Sequence, residues 1–190
     1  MAETRDVVID RAAYDAVVFD MDGVVTKTAV VHAAAWKRLF DDYMAERARI
    51  AGGDWRPFDE EADYRPYVDG KPRYDGVRSF LASHGIVLPD GSPDDPPDRE
   101  TVCGLGNRKN GYFLKELEQH GVQAYETTVH LVRTLQEAGV GTAIISASKN
   151  LETVLAAGGI GDLFAVAVDG VLAAEIGLAG KPDPAVFLEA

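Results

Sequence analysis

A chain of 190 residues with 46% hydrophobic and 8% aromatic content can bury one substantial core and a small second lobe, which excludes disorder and repeat arrays. The formal net charge of -12 argues against nonspecific binding to nucleic acid or an anionic membrane, since both depend on clustered Lys and Arg. Cys103 stands alone, which excludes an internal disulfide framework, and Met1 to Tyr14 lacks the apolar core of a signal peptide, so a soluble cytoplasmic protein is expected.

Ala16, Val17, Val18 and Phe19 form a continuous apolar run, which predicts a short parallel strand buried on both faces. It delivers Asp20 and Asp22 into the Gly23 turn at the strand's C-terminal end, where open parallel sheets bind ligands. Two carboxylates so spaced can share one divalent cation. Alternatively, one can attack a phosphorus while the other handles a proton.

Downstream, Val31, Ala35, Leu39 and Tyr43 recur at fourfold spacing and predict a helix from Val30 to about Ile50, ended by Gly52 and Gly53. Asp54 to Gly76 has little periodicity and reads as loops around a short helix. Asp75 offers an N-cap for a helix over Val77 to Ser83, and Pro89 to Asp98 reads as a solvent-exposed loop. A further helix is expected from Arg99 or Asn107 to Gln119.

From Tyr125 the pattern alternates: helix Thr127 to Ala138, strand Val140 to Ser146, helix Asn150 to Ala157, strand Phe164 to Val168. The predicted fold is therefore α/β, a doubly wound parallel-sheet core built from residues 1–30 and 123–190, with residues 31–122 inserted as a helical cap. An insertion directly after the first turn would hang over the strand ends and close on a ligand.

Two later clusters match the first. Ser146-Ala147-Ser148-Lys149-Asn150 ends a buried strand where a helix begins, an arrangement that suits phosphate through backbone N–H groups and hydroxyls, although Ser148 alone also reads as an N-cap. Gly180-Lys181-Pro182-Asp183-Pro184 precedes a helix from Ala185 and carries a lysine able to offset charge on a carboxylate and an incoming phosphoryl group. Weaker signals lie in the cap: His32 and Trp36, then Gly70-Lys71-Pro72-Arg73, then Arg108-Lys109-Asn110. Arg73 stands out there, because a guanidinium binds phosphate bidentately.

The string Asp20-Met21-Asp22-Gly23-Val24, with Ser146 and Gly-Lys-Pro-x-Pro at Lys181, resembles the haloacid dehalogenase superfamily, and Ser-Ala-Ser-Lys-Asn resembles its β-phosphoglucomutase-like branch. The resemblance implies a Rossmann-like core and an aspartyl-phosphate enzyme dependent on Mg²⁺. In it Asp20 is nucleophile, Asp22 general acid/base, both bind the metal, and Ser146 and Lys181 complete the catalytic set. Thr28, His32, Trp36, Gly70, Lys71, Arg73 and Lys109, with Ala147, Ser148, Lys149 and Asn150, are then the expected contacts to a small phosphorylated sugar. A mutase interconverting sugar 1-phosphate and 6-phosphate is the first reading and a phosphatase the second.

Departures accompany the resemblance. Lys27 stands where the branch usually has an acid, Pro72 replaces a small polar residue, and the acidic pair that completes the metal site in the superfamily would fall beyond Ala190. A truncated domain is therefore expected, and a noncatalytic module of a larger protein is the alternative of another class.

Overall fold

Three parallel strands, β1 (Ala16–Asp20), β2 (Gly141–Ile145) and β3 (Val166–Val168), form one sheet in the order β1-β2-β3 in the computed structural model. It describes Ile9 and residues 11–190; the rest of the polar N-terminal stretch, with which the first core segment was expected to begin, lies outside the described residues. Phe19 pairs with Ile144 and Asp20 with Ile145, so the two strands end level and Ser146 follows one position beyond, at the level of Met21. Among the described residues β1 pairs with β2 only. That open flank leaves Ala16 exposed and Val17 and Val18 half-buried, so burial on both faces holds for Phe19 alone.

The turn after β1 is built on Met21, whose carbonyl accepts from the N–H groups of Val25 at 3.0 Å and Thr26 at 2.9 Å. Gly23 sits at φ +81, a conformation that L side chains resist. Helix α1 (Ala29–Ala51) follows, burying Ala35, Trp36, Leu39, Phe40 and Tyr43 as the spacing predicts. The irregular stretch then holds a π-turn (Glu60–Tyr64), capped by the Asp59 side chain, and the short α2 (Arg65–Tyr67).

Helix α3 (Arg73–Ser83) starts earlier than expected. Pro72, with φ preset and no N–H to satisfy, takes the N-cap position, and Asp75 instead pairs with Arg78 at 2.6 Å. Helix α4 (Val102–His120) begins between the two predicted starts, because the Thr101 hydroxyl accepts from Gly104 N at 2.9 Å. The loop before it is largely exposed but not entirely: Asp95 is buried and accepts from Thr101 Oγ1 at 2.7 Å, which fixes that cap.

Helices α5 (Glu126–Glu137), α6 (Leu151–Ala157), α7 (Gly170–Glu175) and α8 (Ala185–Glu189) complete the chain. Helix α7 is not among the elements that the sequence pattern predicts; Asp169 caps it, accepting from Val171 N and Leu172 N. Strand β3 begins two residues later than expected.

Burial gathers in two large clusters. One joins Phe19, Met21, Ile144, Val132, Leu135 and Leu155 around the sheet and reaches Ala35, Phe113 and Leu117 of α1 and α4. The other joins Trp36, Leu39, Phe40, Phe58, Val77, Phe80 and Leu105 among the helices. Where the chain leaves and re-enters the sheet region, Lys27 N donates to Gln123 O at 2.8 Å and Tyr125 N to Val25 O at 2.9 Å. Thr26 pairs antiparallel with Ala124 between them. Among the described residues no helix is long and apolar enough to cross a membrane.

Candidate active site

Asp20 is the last residue of β1, and its Oδ1 accepts from Lys181 Nζ at 2.6 Å, across 161 residues of chain. Lys181 reaches it from the loop before α8. Asp22 lies one turn further on. Its Oδ1 accepts from Thr28 Oγ1, which also lies 2.7 Å from Thr26 Oγ1, and both threonines are buried. Thr28 is thus turned onto a carboxylate of the protein. Ser146 Oγ lies 3.5 Å from Asp22 Oδ2 and accepts from Ser148 N at 3.0 Å.

Burial pushes the Asp22 carboxyl above the usual carboxylate range. The Thr28 hydrogen bond opposes that shift and the neighbouring Asp20 charge adds to it. A carboxyl raised in this way keeps its proton to higher pH than an ordinary carboxylate, which suits a group that passes a proton to and fro.

His32, on α1, lies with Nε2 3.5 Å from Asp22 Oδ1. Its Nδ1 is 2.6 Å from Lys109 Nζ, and its ring stacks on Phe113 with centroids 4.1 Å apart. Lys109 is buried over the faces of Trp36 and Phe113, at 5.1 and 4.9 Å from the ring centroids. Burial, and then the Arg73 charge, bring its ammonium down to about 7. Burial likewise holds His32 well below the ordinary imidazole value, so the ring is neutral. With Nδ1 accepting from the lysine, the ring proton belongs on Nε2, facing Asp22.

These groups face a cavity of about 460 Å³ whose walls include Asp20, Asp22, His32, Trp36, Arg73, Lys109, Ser146, Ala147, Ser148, Lys149, Asn150 and Lys181. Of the expected substrate contacts all but Thr28, which is buried against Asp22, line this cavity, though not all alike. Lys149 is exposed on the rim. Lys71 also lines the cavity, yet its Nζ lies 2.7 Å from Ser79 Oγ, held on the helical side. Trp36 is packed in the helical cluster, stacked on Phe40 at 5.3 Å. Gly70 contributes backbone close to Lys181, whose Cε would lie 4.0 Å from a Cβ at that position.

Three participants, Asn110, Pro72 and Gly180, stand in the sequence strings without a role of their own. Asn110 Oδ1 accepts from Arg73 Nη2 at 2.9 Å and from Asn150 Nδ2 at 2.8 Å. Pro72 abuts Gly180, where an added Cβ would lie 2.6 Å from Pro72 Cγ. Adjacency to Lys109 was the available signal for Asn110; the Pro72–Gly180 contact left none, because it joins segments far apart in the chain.

Asp20 and Asp22 each keep an oxygen not engaged by Lys181 or Thr28, and such hard donors fit Mg²⁺ with water and phosphate completing its shell. Among the described residues no group of three His, Cys, Asp or Glu is placed to hold a metal. A larger, more open groove of about 810 Å³ runs past Lys27, Tyr125, His130 and Arg133, but it carries no paired carboxylates.

Residues 14–190 match a family model described as haloacid dehalogenase-like hydrolase. A β-phosphoglucomutase of Mycobacterium tuberculosis (strain CDC 1551 / Oshkosh) is 50% identical over 175 residues, covering 92% of this chain and 67% of that protein. An uncharacterized glycosyl hydrolase of Mycobacterium tuberculosis (strain ATCC 25618 / H37Rv) is 44% identical over 181 residues, covering 95% of this chain but 13% of that much longer protein. Among solved structures, a β-phosphoglucomutase from Clostridium difficile superposes with a TM-score of 0.67 at 22% identity, over 92% of this chain and 68% of that one, which shows a shared fold.

Proposed function

Since the chain belongs to the haloacid dehalogenase-like hydrolase family, in its β-phosphoglucomutase-like branch, we propose that it is a phosphotransferase acting on a hexose phosphate through an aspartyl-phosphate at Asp20. The preferred reaction is interconversion of a sugar 1-phosphate and 6-phosphate. One observation carries this reading: the Asp20–Lys181 pair and Arg73, Ser148, Lys149 and Asn150 line one and the same cavity, and in this reading the first holds the transferring phosphate and the second the other phosphate of a small sugar. The relative named β-phosphoglucomutase supports it.

In this reading phosphorylated Asp20 transfers its phosphoryl group to the 6-hydroxyl of a hexose 1-phosphate while Asp22 takes the hydroxyl proton. After the bisphosphate reorients, Asp20 accepts the 1-phosphoryl group, the phosphorus–oxygen bond to C1 breaks, and Asp22 returns the proton to that oxygen. Lys181 offsets negative charge between carboxylate and phosphate, a task that grows as the transition state forms. Ser146 donates to a phosphoryl oxygen. Mg²⁺ held by Asp20 and Asp22 would add charge neutralisation. Residues 31–122 act as the cap, and Arg73 couples its closure to a substrate with a second phosphate.

Phosphorus NMR tests the proposal. Incubated with Mg²⁺, β-glucose 1-phosphate and a trace of the 1,6-bisphosphate, the protein is expected to yield glucose 6-phosphate. Inorganic phosphate released without glucose 6-phosphate would select the phosphatase instead.

A further inference from the structure

Arg73, Asn110 and Asn150 come from three different elements, and one carbonyl oxygen ties them together. Arg73 opens α3, Asn110 lies in the middle of α4, and Asn150 is the N-cap residue of α6. Asn110 Oδ1 receives both donors, Arg73 Nη2 at 2.9 Å and Asn150 Nδ2 at 2.8 Å, and all three residues line the same cavity. Neither donor is exhausted: a guanidinium carries five N–H groups and a primary amide two.

The acceptor is neutral, and that matters. Among the described residues no carboxylate forms an ion pair with Arg73, so its charge is not cancelled by the group that holds it. An aspartate at 110 would satisfy the same two donors with nearly the same shape. It would also neutralise the guanidinium and set a negative charge beside any bound anion. An apolar residue would leave both donors unpinned.

We infer that Asn110 is the positioning residue of the distal phosphate subsite, a neutral pivot that holds the cap's Arg73 and the core's Asn150 in one geometry without competing for the anion. The inference rests on the proposed reading of Arg73 and Asn150 as phosphate-binding groups. It accounts for an amide at the one point where a carboxylate would bind Arg73 more tightly.

Calorimetric titration of the 190-residue chain with glucose 6-phosphate tests it, with Asn110→Ala, Asn110→Asp and Arg73→Ala alongside and thermal melting as a check of folding. Asn110→Ala is expected to weaken binding by about tenfold. Asn110→Asp should weaken it further, with a loss that shrinks as salt is raised. A merely structural role would leave Asn110→Asp close to wild type, since both hydrogen bonds survive, and that result would overturn the inference. If Arg73→Ala weakens binding but neither Asn110 variant does, the inference alone falls. If Arg73→Ala leaves binding unchanged, or the wild-type chain does not bind the probe, the functional reading beneath it falls as well.

Discussion

Lys109 Nζ and His32 Nδ1 lie 2.6 Å apart although 77 residues separate them in the chain, and this contact joins α4 to α1 directly above Asp22. Burial lowers Lys109 from its ordinary 10.5 to about 7. Between those values the unfolded chain binds the proton that the folded protein has released, so rising pH favours folding across that window. Below about 7 both states are protonated and the cost of burying the charge is felt in full. Lys109→Met should therefore stabilise the protein most at about pH 6 and progressively less toward about pH 10, read from urea midpoints. A difference between the two proteins that is flat with pH would refute this.

Thr28 opposes the upward shift of Asp22 by donating to it. In Thr28→Val that hydrogen bond is gone while burial and the Asp20 charge remain, so the Asp22 carboxyl should titrate at higher pH still. Carbon NMR of labelled aspartate follows it directly. A shift downward would mean that Thr28 does not act through the charged form.

Asp20→Asn should abolish turnover, because an amide is no nucleophile and no longer pairs with Lys181. Asp22→Asn should slow transfer by several orders of magnitude while leaving sugar-phosphate affinity nearly intact. Single-turnover rates and binding constants measured in parallel separate the two. Equal losses in both for Asp22→Asn would reassign it from proton transfer to binding.

Gly180→Ala should hold the two loops apart, since its Cβ would fall 2.6 Å from Pro72 Cγ and 2.7 Å from Cδ. The expected cost is about 1–3 kcal/mol if the loops stay packed, or a loosened cavity if they separate. Pro72→Ala in the same chain should restore much of the loss, measured as melting temperature and glucose 6-phosphate affinity. Failure of that rescue would place the clash elsewhere.

The apolar segments from Ala16 and Tyr125 onward made the sheet legible, because short runs rich in apolar and β-branched residues declare strands even where one flank of the sheet is open. Asp20, Asp22 and Ser146 were legible for the same reason: they sit where such runs end. Helix starts were not. Pro72 displaced the expected cap at Asp75, and Thr101 acted through Asp95, a residue within a loop rich in proline and aspartate. The linkage of Lys109 to His32, and of Asn110 to Arg73 and Asn150, depends on how α4 lies against α1 and α3, and side-chain spacing along a helix carries no record of the partner helix.

The pairing of Thr26 with Ala124, flanked by hydrogen bonds at Lys27 and Tyr125, has a consequence for how such a molecule can be altered. The chain departs toward α1 and returns from α4 through a single gateway two backbones wide, so its ends there are already neighbours. In topological terms α1 to α4 are a cassette. A short turn across the gateway would preserve the path of the sheet and the placement of Asp20 beside Lys181, while the surface now covered by Ala35, Phe113 and Leu117 and the places where Pro72 meets Gly180 and Asn110 meets Asn150 would need a new lining. The same doorway would admit a differently shaped lobe, so the pocket's choice of ligand could be exchanged while the strand ends that carry the carboxylates stay as they are.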